Sequence, residues 1–396
     1  MYNRFLAEWN KAYQETGKGL SYTKCANQLP ILKKDLPWLK EVASQPLQQS
    51  LKNLDVAFKN FFKGNARHPK FKSKQGKQSI CYPQGFSVGN RSLKLPKLGQ
   101  VKAKVHREII GKVKAVHVSL TPSGQYFASL RVEIDQDEPE PNSSGKIIGI
   151  DLGLNDLIVT SDGDQVKPDQ YYRKHEKKLA KRQKQLSRKV KGSSRRRKAR
   201  VKVAKVHQKI ANSRLDAHHK LSRKLVDENS VLVLGTCVRA RKYRPCGQVN
   251  ALRACFANVF ENLNVKAMTR HRKLAKSITD AGWGMLQTLT EYKAKRKGKV
   301  VVYVDRFFPS SKLCNHCGHR IDKMPLDVRE WIGPECGTHH HRDINAAKNL
   351  RDVFKAVGTT VAACGEDVRP DLDSFQKWLF SVKQEARTIS ESVGVE

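Results

Sequence analysis

The apolar positions at the start of the chain recur with the period of an α-helix. Residues 2–15 place Tyr, Phe, Leu and Trp side chains on one helical face, and residues 47–62 repeat the pattern. These segments predict a small helical unit over residues 1–63, in which the aromatic side chains mainly form the core. A domain seldom starts inside its first core helix, so we expect the N-terminus to be truncated.

Apolar positions alternate with period two in the next part of the chain, residues 64–143. Residues 116–120 and 126–132 flank the turn Thr121–Gly124, which predicts a β-hairpin. Lys70 and Lys72 lie among these predicted strands beside an aromatic residue. Basic and aromatic side chains on a β-surface suit nucleic acid, although a solvated strand face is the alternative interpretation.

An acidic, Pro-rich and Ser-rich linker at residues 136–145 precedes an α/β pattern. Residues 146–151 predict a strand that ends in Asp151, with residues 157–160 as its hairpin partner. Further strands are predicted at 231–234 and 300–304. A helical segment spans 262–293, with Trp283 and Met285 on its apolar side. The tail, 356–396, is helical only in places.

Residues 173–205 are the most basic part of the chain, with 17 Lys or Arg against one acid. Leu179, Leu186 and Val190 give a thin apolar stripe that predicts a helix. Residues 192–194 break this helix, and a second helix follows through residues 206–221. So many basic residues in one segment favour contact with nucleic acid over the alternative, a helix face that is merely exposed to water. The candidate phosphate contacts are Lys177, Lys181, Arg188, Arg195 and Arg196.

The composition of the 396 residues agrees with a nucleic-acid partner. Lys and Arg number 76 against 37 acids, a net charge of +39 whose self-repulsion a polyanion would relieve. A ribosomal-type protein also fits this charge, whereas a membrane-surface binder fits poorly because no basic helix has an aromatic face. No apolar run suggests a signal peptide or a membrane span. Nine cysteines without such a signal favour a cytoplasmic, reducing location.

Two short motifs place carboxylates where a metal could bind. Asp151 lies in Gly149–Gly153, at the end of a strand and between glycines that allow a phosphate to approach. Asp343 lies in His341–Asn349, at a predicted helix start followed by small residues that permit close packing on a sheet. Taken alone, Asp151 could be a turn residue and Asp343 a helix cap.

A cysteine motif follows the last predicted strand. Cys314 and Cys317 form a CxxC knuckle, whereas the second knuckle keeps only Cys336 because Gly333 stands at the other cysteine position. Three sulfur ligands for Zn²⁺ remain, and we expect zinc to be weakly held or absent unless a histidine completes the site. The candidate histidines are His316, His319, His339, His340 and His341.

Together the ordered motifs resemble the TnpB family, transposon-encoded relatives of type V CRISPR effectors. The resemblance runs over most of the chain. Its nuclease motifs are Gly149–Gly153, Phe260–Val265 and Arg342–Ala347, and further matches occur at Tyr2–Leu6, Phe58–Gly64, Pro69–Lys74, Lys273–Ala275, Asp280–Trp283 and Phe308–Cys317.

The resemblance implies an α/β, RuvC-like (RNase H-type) nuclease domain at 145–355 with an inserted zinc ribbon at 310–340. It also implies a helical recognition lobe at 1–63 and a β-barrel wedge domain at 64–143. Asp151, Glu261 and Asp343 would hold two Mg²⁺ ions for phosphodiester hydrolysis. The implied partners are a guide RNA from the transposon end and double-stranded target DNA, with no membrane.

The chain departs from the family pattern near Glu261. Residues 235–258 resemble an insertion between the strand at 231–234 and the glutamate motif. Either the insertion separates Glu261 from its strand, or Ala257–Phe260 replaces the strand end and leaves 231–234 in a loop. The family also commonly has an acid where His341 stands. Two hypotheses therefore follow: an active RNA-guided endonuclease, and a decayed or repurposed protein that binds RNA and DNA without efficient cleavage.

Overall fold

The computed structural model describes residues 1–73, 78–142, 144–235, 274–304, 308–325, 327–357 and 367–368. Contacts divide the chain into two compact units. The first comprises residues 1–136 and 185–205, and the second comprises 137–184 and 206–396.

The first unit begins with helices that pack around aromatic side chains. Trp9 stacks on Phe58 with ring centroids 3.8 Å apart, and Phe5 and Leu6 are fully buried beside them. The predicted helices at 2–15 and 47–62 are therefore confirmed, and their apolar faces form a core. The helices are α1 (Tyr2–Thr16), α2 (Tyr22–Asn27), α3 (Leu29–Asp35) and α4 (Ser44–Phe62), with a 3₁₀ turn at Pro37–Lys40.

The strands of the first unit form two three-stranded antiparallel sheets, β1-β5-β6 and β2-β3-β4. The predicted hairpin is confirmed as β5 and β6, whose register pairs Leu120 with Tyr126 and contains one irregularity after Val113. A barrel-shaped wedge domain stays a prediction. The strands are β1 (Gln78–Tyr82), β2 (Ser87–Val88), β3 (Ser92–Leu95), β4 (Gly99–Lys102), β5 (Lys112–Leu120) and β6 (Tyr126–Glu133).

The second unit is built on a six-stranded mixed sheet of order β14-β11-β10-β7-β8-β9. The pairs β7–β10, β10–β11 and β11–β14 are parallel, whereas β8 and β9 continue antiparallel from β7. The strands of this unit are β7 (Ile147–Asp151), β8 (Ile158–Thr160), β9 (Gln165–Val166), β10 (Val231–Gly235), β11 (Val300–Val304), the pair β12 (Glu330–Ile332) and β13 (His339–His341), and β14 (Asp367–Val368).

Helices cover both faces of this sheet, so its central strands are apolar on both sides. Leu232 and Leu234 of β10 belong to a core shared with the helices before β11, whereas Val231 and Val233 pack with the final helix. Among the described residues the helices are α5 (Tyr171–Ser187), α6 (Ser194–Glu228), α7 (Ala275–Ala281), α8 (Trp283–Arg296) and α9 (Arg342–Val357), and residues 185–205 of α5, α6 and the turn between them belong to the first unit. No described helix has the length and apolar character needed to cross a bilayer.

Three details of the sequence interpretation are wrong. The predicted strand at 231–234 is confirmed as β10, which lies in the sheet between β7 and β11, so the alternative that leaves these residues in a loop is wrong. Val190 lies beyond the end of α5 and is 77% exposed, so it is not part of the apolar stripe. Met285 is 46% exposed, because only Trp283 of the pair faces the core.

Candidate active site and cysteine knuckle

Asp151 is the last residue of β7, a strand in the middle of the sheet. Its pKa is raised from the usual value to about 6, first because burial disfavours the charged carboxylate and then because the charge of Asp343 repels it. The backbone N–H of Leu152 stabilises the carboxylate only in part. The fold therefore brings two acids close enough for the charge of one to raise the pKa of the other.

Asp343 lies in the first turn of α9, where the helix dipole favours a negative charge. Its Oδ2 accepts a hydrogen bond from Nη1 of Arg329 at 2.8 Å, and its side chain is 17% exposed. The predicted position at a helix start is confirmed. Glu261, the third predicted metal ligand, and residues 236–258 of the predicted insertion lie outside the described residues.

Gly149 allows α9 to pack directly against β7. A Cβ atom added at Gly149 would lie 1.9 Å from the carbonyl oxygen of Ala347 and 2.7 Å from the amide nitrogen of Arg351. Ala346 and Ala347 are buried at this contact. The small residues expected to permit close packing are therefore at the interface, and they bring the helix that carries Asp343 onto the strand that carries Asp151.

Buried amides join the cysteine knuckle to α9, a connection that sequence reasoning missed. The backbone N–H of Asn315 donates to Oδ1 of Asn345 at 2.9 Å, and its side-chain amide donates to Asn349 and Asp352, both at 2.9 Å. Asn345 and Asn349 each donate in turn to the carbonyl of Leu313 at 2.7 Å. The spacing 345, 349, 352 on one helical face was the available signal.

The knuckle brings sulfur atoms together beside one histidine. Sγ of Cys314 lies 3.6 Å from Sγ of Cys336 and 3.0 Å from Nε2 of His340. Burial raises the pKa of the Cys317 thiol to about 12, and its hydrogen bonds to the other two cysteines add to the rise. Cysteine and histidine at this spacing are the donor set that Zn²⁺ prefers, so these residues fit the ion.

The predicted phosphate contacts differ in their exposure and in the contacts that their side chains already make. Lys70, Lys177, Lys181, Arg188 and Arg195 are exposed and form no ion pair among the described residues. Arg196 instead donates from Nη1 to the carbonyl oxygens of Leu186 and Lys189, at 3.1 and 2.7 Å.

Two of the predicted contacts therefore also have a structural role. Arg196 closes the turn between α5 and α6. The ammonium of Lys72 lies 4.0 Å from the ring centroid of Tyr2, and its backbone exchanges two hydrogen bonds with the Asn3 side chain.

Comparison with known proteins places the whole chain in a family. A protein of Streptomyces pristinaespiralis described as a "Putative RNA-guided DNA endonuclease" is 36% identical over 97% of this chain and 89% of its own length. InsQ of Escherichia coli K12, with the same description, is 33% identical over 93% of this chain and 88% of its own. The chain belongs to the TnpB family.

Two family profiles match parts of this TnpB family member. The profile "OrfB_IS605, Probable transposase" covers residues 129–240, and "Cas12f1-like, TNB domain" covers residues 283–350, which include the cysteine knuckle. A solved Cas12f1–sgRNA–target DNA complex contains a chain with a TM-score of 0.47 and 14% identity, covering 88% of this chain and 79% of that chain.

Proposed function

We propose that this TnpB family member is an RNA-guided DNA endonuclease that cuts by metal-dependent phosphodiester hydrolysis in a RuvC-like domain. The observation that carries the proposal is the direct packing of α9, whose first turn carries Asp343, on β7, which ends at Asp151. The relatives described as RNA-guided endonucleases support the same chemistry.

The carboxylates fit a hard cation. Asp151 and Asp343 offer oxygen ligands, and their mutual repulsion would be relieved by a positive ion between them. Glu261 would be the third ligand. Two bound Mg²⁺ ions would supply an activated water and stabilise the leaving oxygen. The protein residues would hold the ions and the phosphate in line, and Gly149 would keep the two acids together.

Guide RNA and target DNA would bind through the exposed basic residues. The side chains of Lys177 and Lys181 in α5, of Arg188 after its end and of Arg195 at the start of α6 are exposed and form no ion pair among the described residues. Such contacts supply affinity without sequence specificity. Pairing between guide RNA and target strand would supply the specificity.

The proposal is tested by plasmid cleavage in Mg²⁺. The protein is co-expressed with its flanking transposon RNA, and the plasmid carries the matching target beside a randomised motif. Asp151→Ala and Asp343→Asn are expected to abolish the double-strand break while RNA still co-purifies. Asp164→Asn, which changes an exposed carboxylate of the same unit, is the matched control and should cut normally.

Either of two results would contradict this function. Unchanged cutting by Asp151→Ala would remove that residue from the chemistry. Absence of cutting by the wild type, with RNA still bound, would instead identify a protein that binds nucleic acid without cleavage. In that case residues 235–258 would be the first segment to delete.

A further inference from the structure

The cysteine knuckle lacks one of its four expected cysteines, yet a histidine joins two of the remaining cysteines around one point. The ligand atoms of Cys314, Cys336 and His340 all lie within 4.8 Å of one another. Cys317 forms the CxxC knuckle with Cys314, three residues away along the chain, and is a neighbour of both cysteines. We propose that His340 replaces the thiolate absent at Gly333 and completes a Cys₃His zinc site.

Gly333 occupies the position of a ligand without providing one. A Cβ atom added there would lie 2.7 Å from Sγ of Cys336 and 3.4 Å from Sγ of Cys314. The backbone at residue 333 therefore faces the same point as the cysteines, and a cysteine side chain at this position would enter their group. Since glycine carries no donor, the fourth ligand must come from another residue.

His340 is the histidine placed to provide it. It lies on β13 opposite Trp331 of β12, is only 9% exposed, and its ring centroid is 4.7 Å from that of Trp331. The neighbours on the strand, His339 and His341, point to the opposite face because side chains alternate.

Of the other histidines, two pair with glutamates, one is exposed, and Nδ1 of His341 is buried without a hydrogen-bond partner among the described residues. Nδ1 of His319 pairs with Glu335 at 2.8 Å, and Nε2 of His339 lies 3.6 Å from Glu330. His316 is exposed. Of the five candidate histidines, His340 is the one whose ring nitrogen contacts a knuckle sulfur in the described structure.

The observed separations suit a tetrahedral zinc centre. Zinc–sulfur bonds of about 2.3 Å and zinc–nitrogen bonds of about 2.0 Å place tetrahedral ligands about 3.8 Å apart for two sulfurs and about 3.5 Å for sulfur and nitrogen. The Cys314–Cys336 separation is 3.6 Å and the Cys314–His340 separation is 3.0 Å. A shift of about half an ångström in the side chains would therefore accommodate the ion.

The decisive experiment measures zinc content and X-ray absorption at the zinc edge on the purified full-length protein. One zinc per chain, coordinated by three sulfurs and one nitrogen, is expected. Three sulfurs with an oxygen, or less than half a zinc per chain after dialysis against zinc-containing buffer, would overturn the assignment. This measurement needs no variant and no nuclease activity.

Variants then identify the nitrogen donor. Removing a residue that only contacts a metal ligand typically weakens metal binding about 10–100-fold. Removing a ligand itself should cost at least as much, so we expect His340→Ala to weaken zinc binding by at least this factor in a chelator competition. His339→Ala, on the neighbouring exposed position of β13, is the matched control and should bind as the wild type does. Equal affinities for wild type and His340→Ala would refute the proposal.

A compensating variant tests the exchange of one ligand for another. The double variant Gly333→Cys/His340→Ala should regain tight zinc binding, now with four sulfurs around the ion. Cobalt substitution offers a second spectroscopic check, because added thiolate strengthens the sulfur-to-metal charge-transfer absorption. If the double variant bound zinc as weakly as His340→Ala alone, position 333 would not be the missing ligand position, and the inference would fail.

Discussion

Gly149 provides a direct test of how the fold brings the two acids together. The alanine methyl group in Gly149→Ala would lie 1.9 Å from the carbonyl oxygen of Ala347, whereas an ordinary contact of this kind is about 3.5 Å. Both obstructing atoms belong to the backbone of α9, so no side chain can rotate away. The helix would have to move by about 1.5 Å from β7.

The expected cost follows from this displacement. Overpacking typically costs about 1–3 kcal/mol, and a clash with backbone atoms should reach the upper end. For a unit of about 240 residues, 3 kcal/mol lowers the melting temperature by about 6–12 °C. Because α9 carries Asp343, the same shift should reduce cleavage about 100-fold, the usual effect of a 1 Å misplacement at an active site.

The assay compares Gly149→Ala with Gly235→Ala by thermal unfolding. Gly235 lies on the adjacent strand β10, and a Cβ there would meet Cδ1 of Leu350 at 3.4 Å, an ordinary van der Waals contact. We expect Gly235→Ala to change stability by less than about 1 kcal/mol. Equal melting temperatures for the two variants would show that the β7–α9 contact yields at little cost, and would refute the reasoning.

Two further predictions concern the buried polar groups of the second unit. Asn349→Leu should destabilise the protein by about 2–4 kcal/mol, because the carbonyls of Ser310 and Leu313 lose a buried donor. Urea unfolding compares this variant with the exposed control Lys348→Leu. A loss of stability under about 1 kcal/mol in Asn349→Leu would contradict the prediction. The raised pKa of Asp151 means that the metal-free protein loses stability as pH rises from the unfolded carboxyl pKa through about 6. Asp151→Asn should therefore stabilise the protein in EDTA at pH 7.5 and do so less at pH 5, and an equal effect at both pH values would contradict the raised pKa.

The sequence predicted those parts of the site that depend on local pattern. An apolar run ending in Asp151 between glycines indicates a strand end, and Asp343 before a helical repeat indicates a first turn; both are confirmed in the structure. The alternation of Leu and Val in residues 231–234 could not reveal which strands flank them. That arrangement depends on pairing with β7 and β11, which are far away in the chain.

Polar side chains on a helix were harder to interpret. Asn345 and Asn349 have the composition of a solvated helix face, yet both are buried because the knuckle packs over them. Likewise, five histidines near the cysteines were equivalent in sequence. Only the pairing of β12 with β13, which sets His340 opposite Trp331, distinguishes one of them.

The cysteine knuckle and the nuclease acids share one structural support, which gives the knuckle a role beyond its own folding. Asn315 of the knuckle binds side chains along α9, and Arg329, just before β12, holds the carboxylate of Asp343 at the start of the same helix. Loss of knuckle structure would therefore remove amide partners from the middle of α9 and the cation from Asp343. If His340 completes the metal site, it therefore also helps to hold Asp343 in place, and His340→Ala should disturb the start of α9 as well as the knuckle.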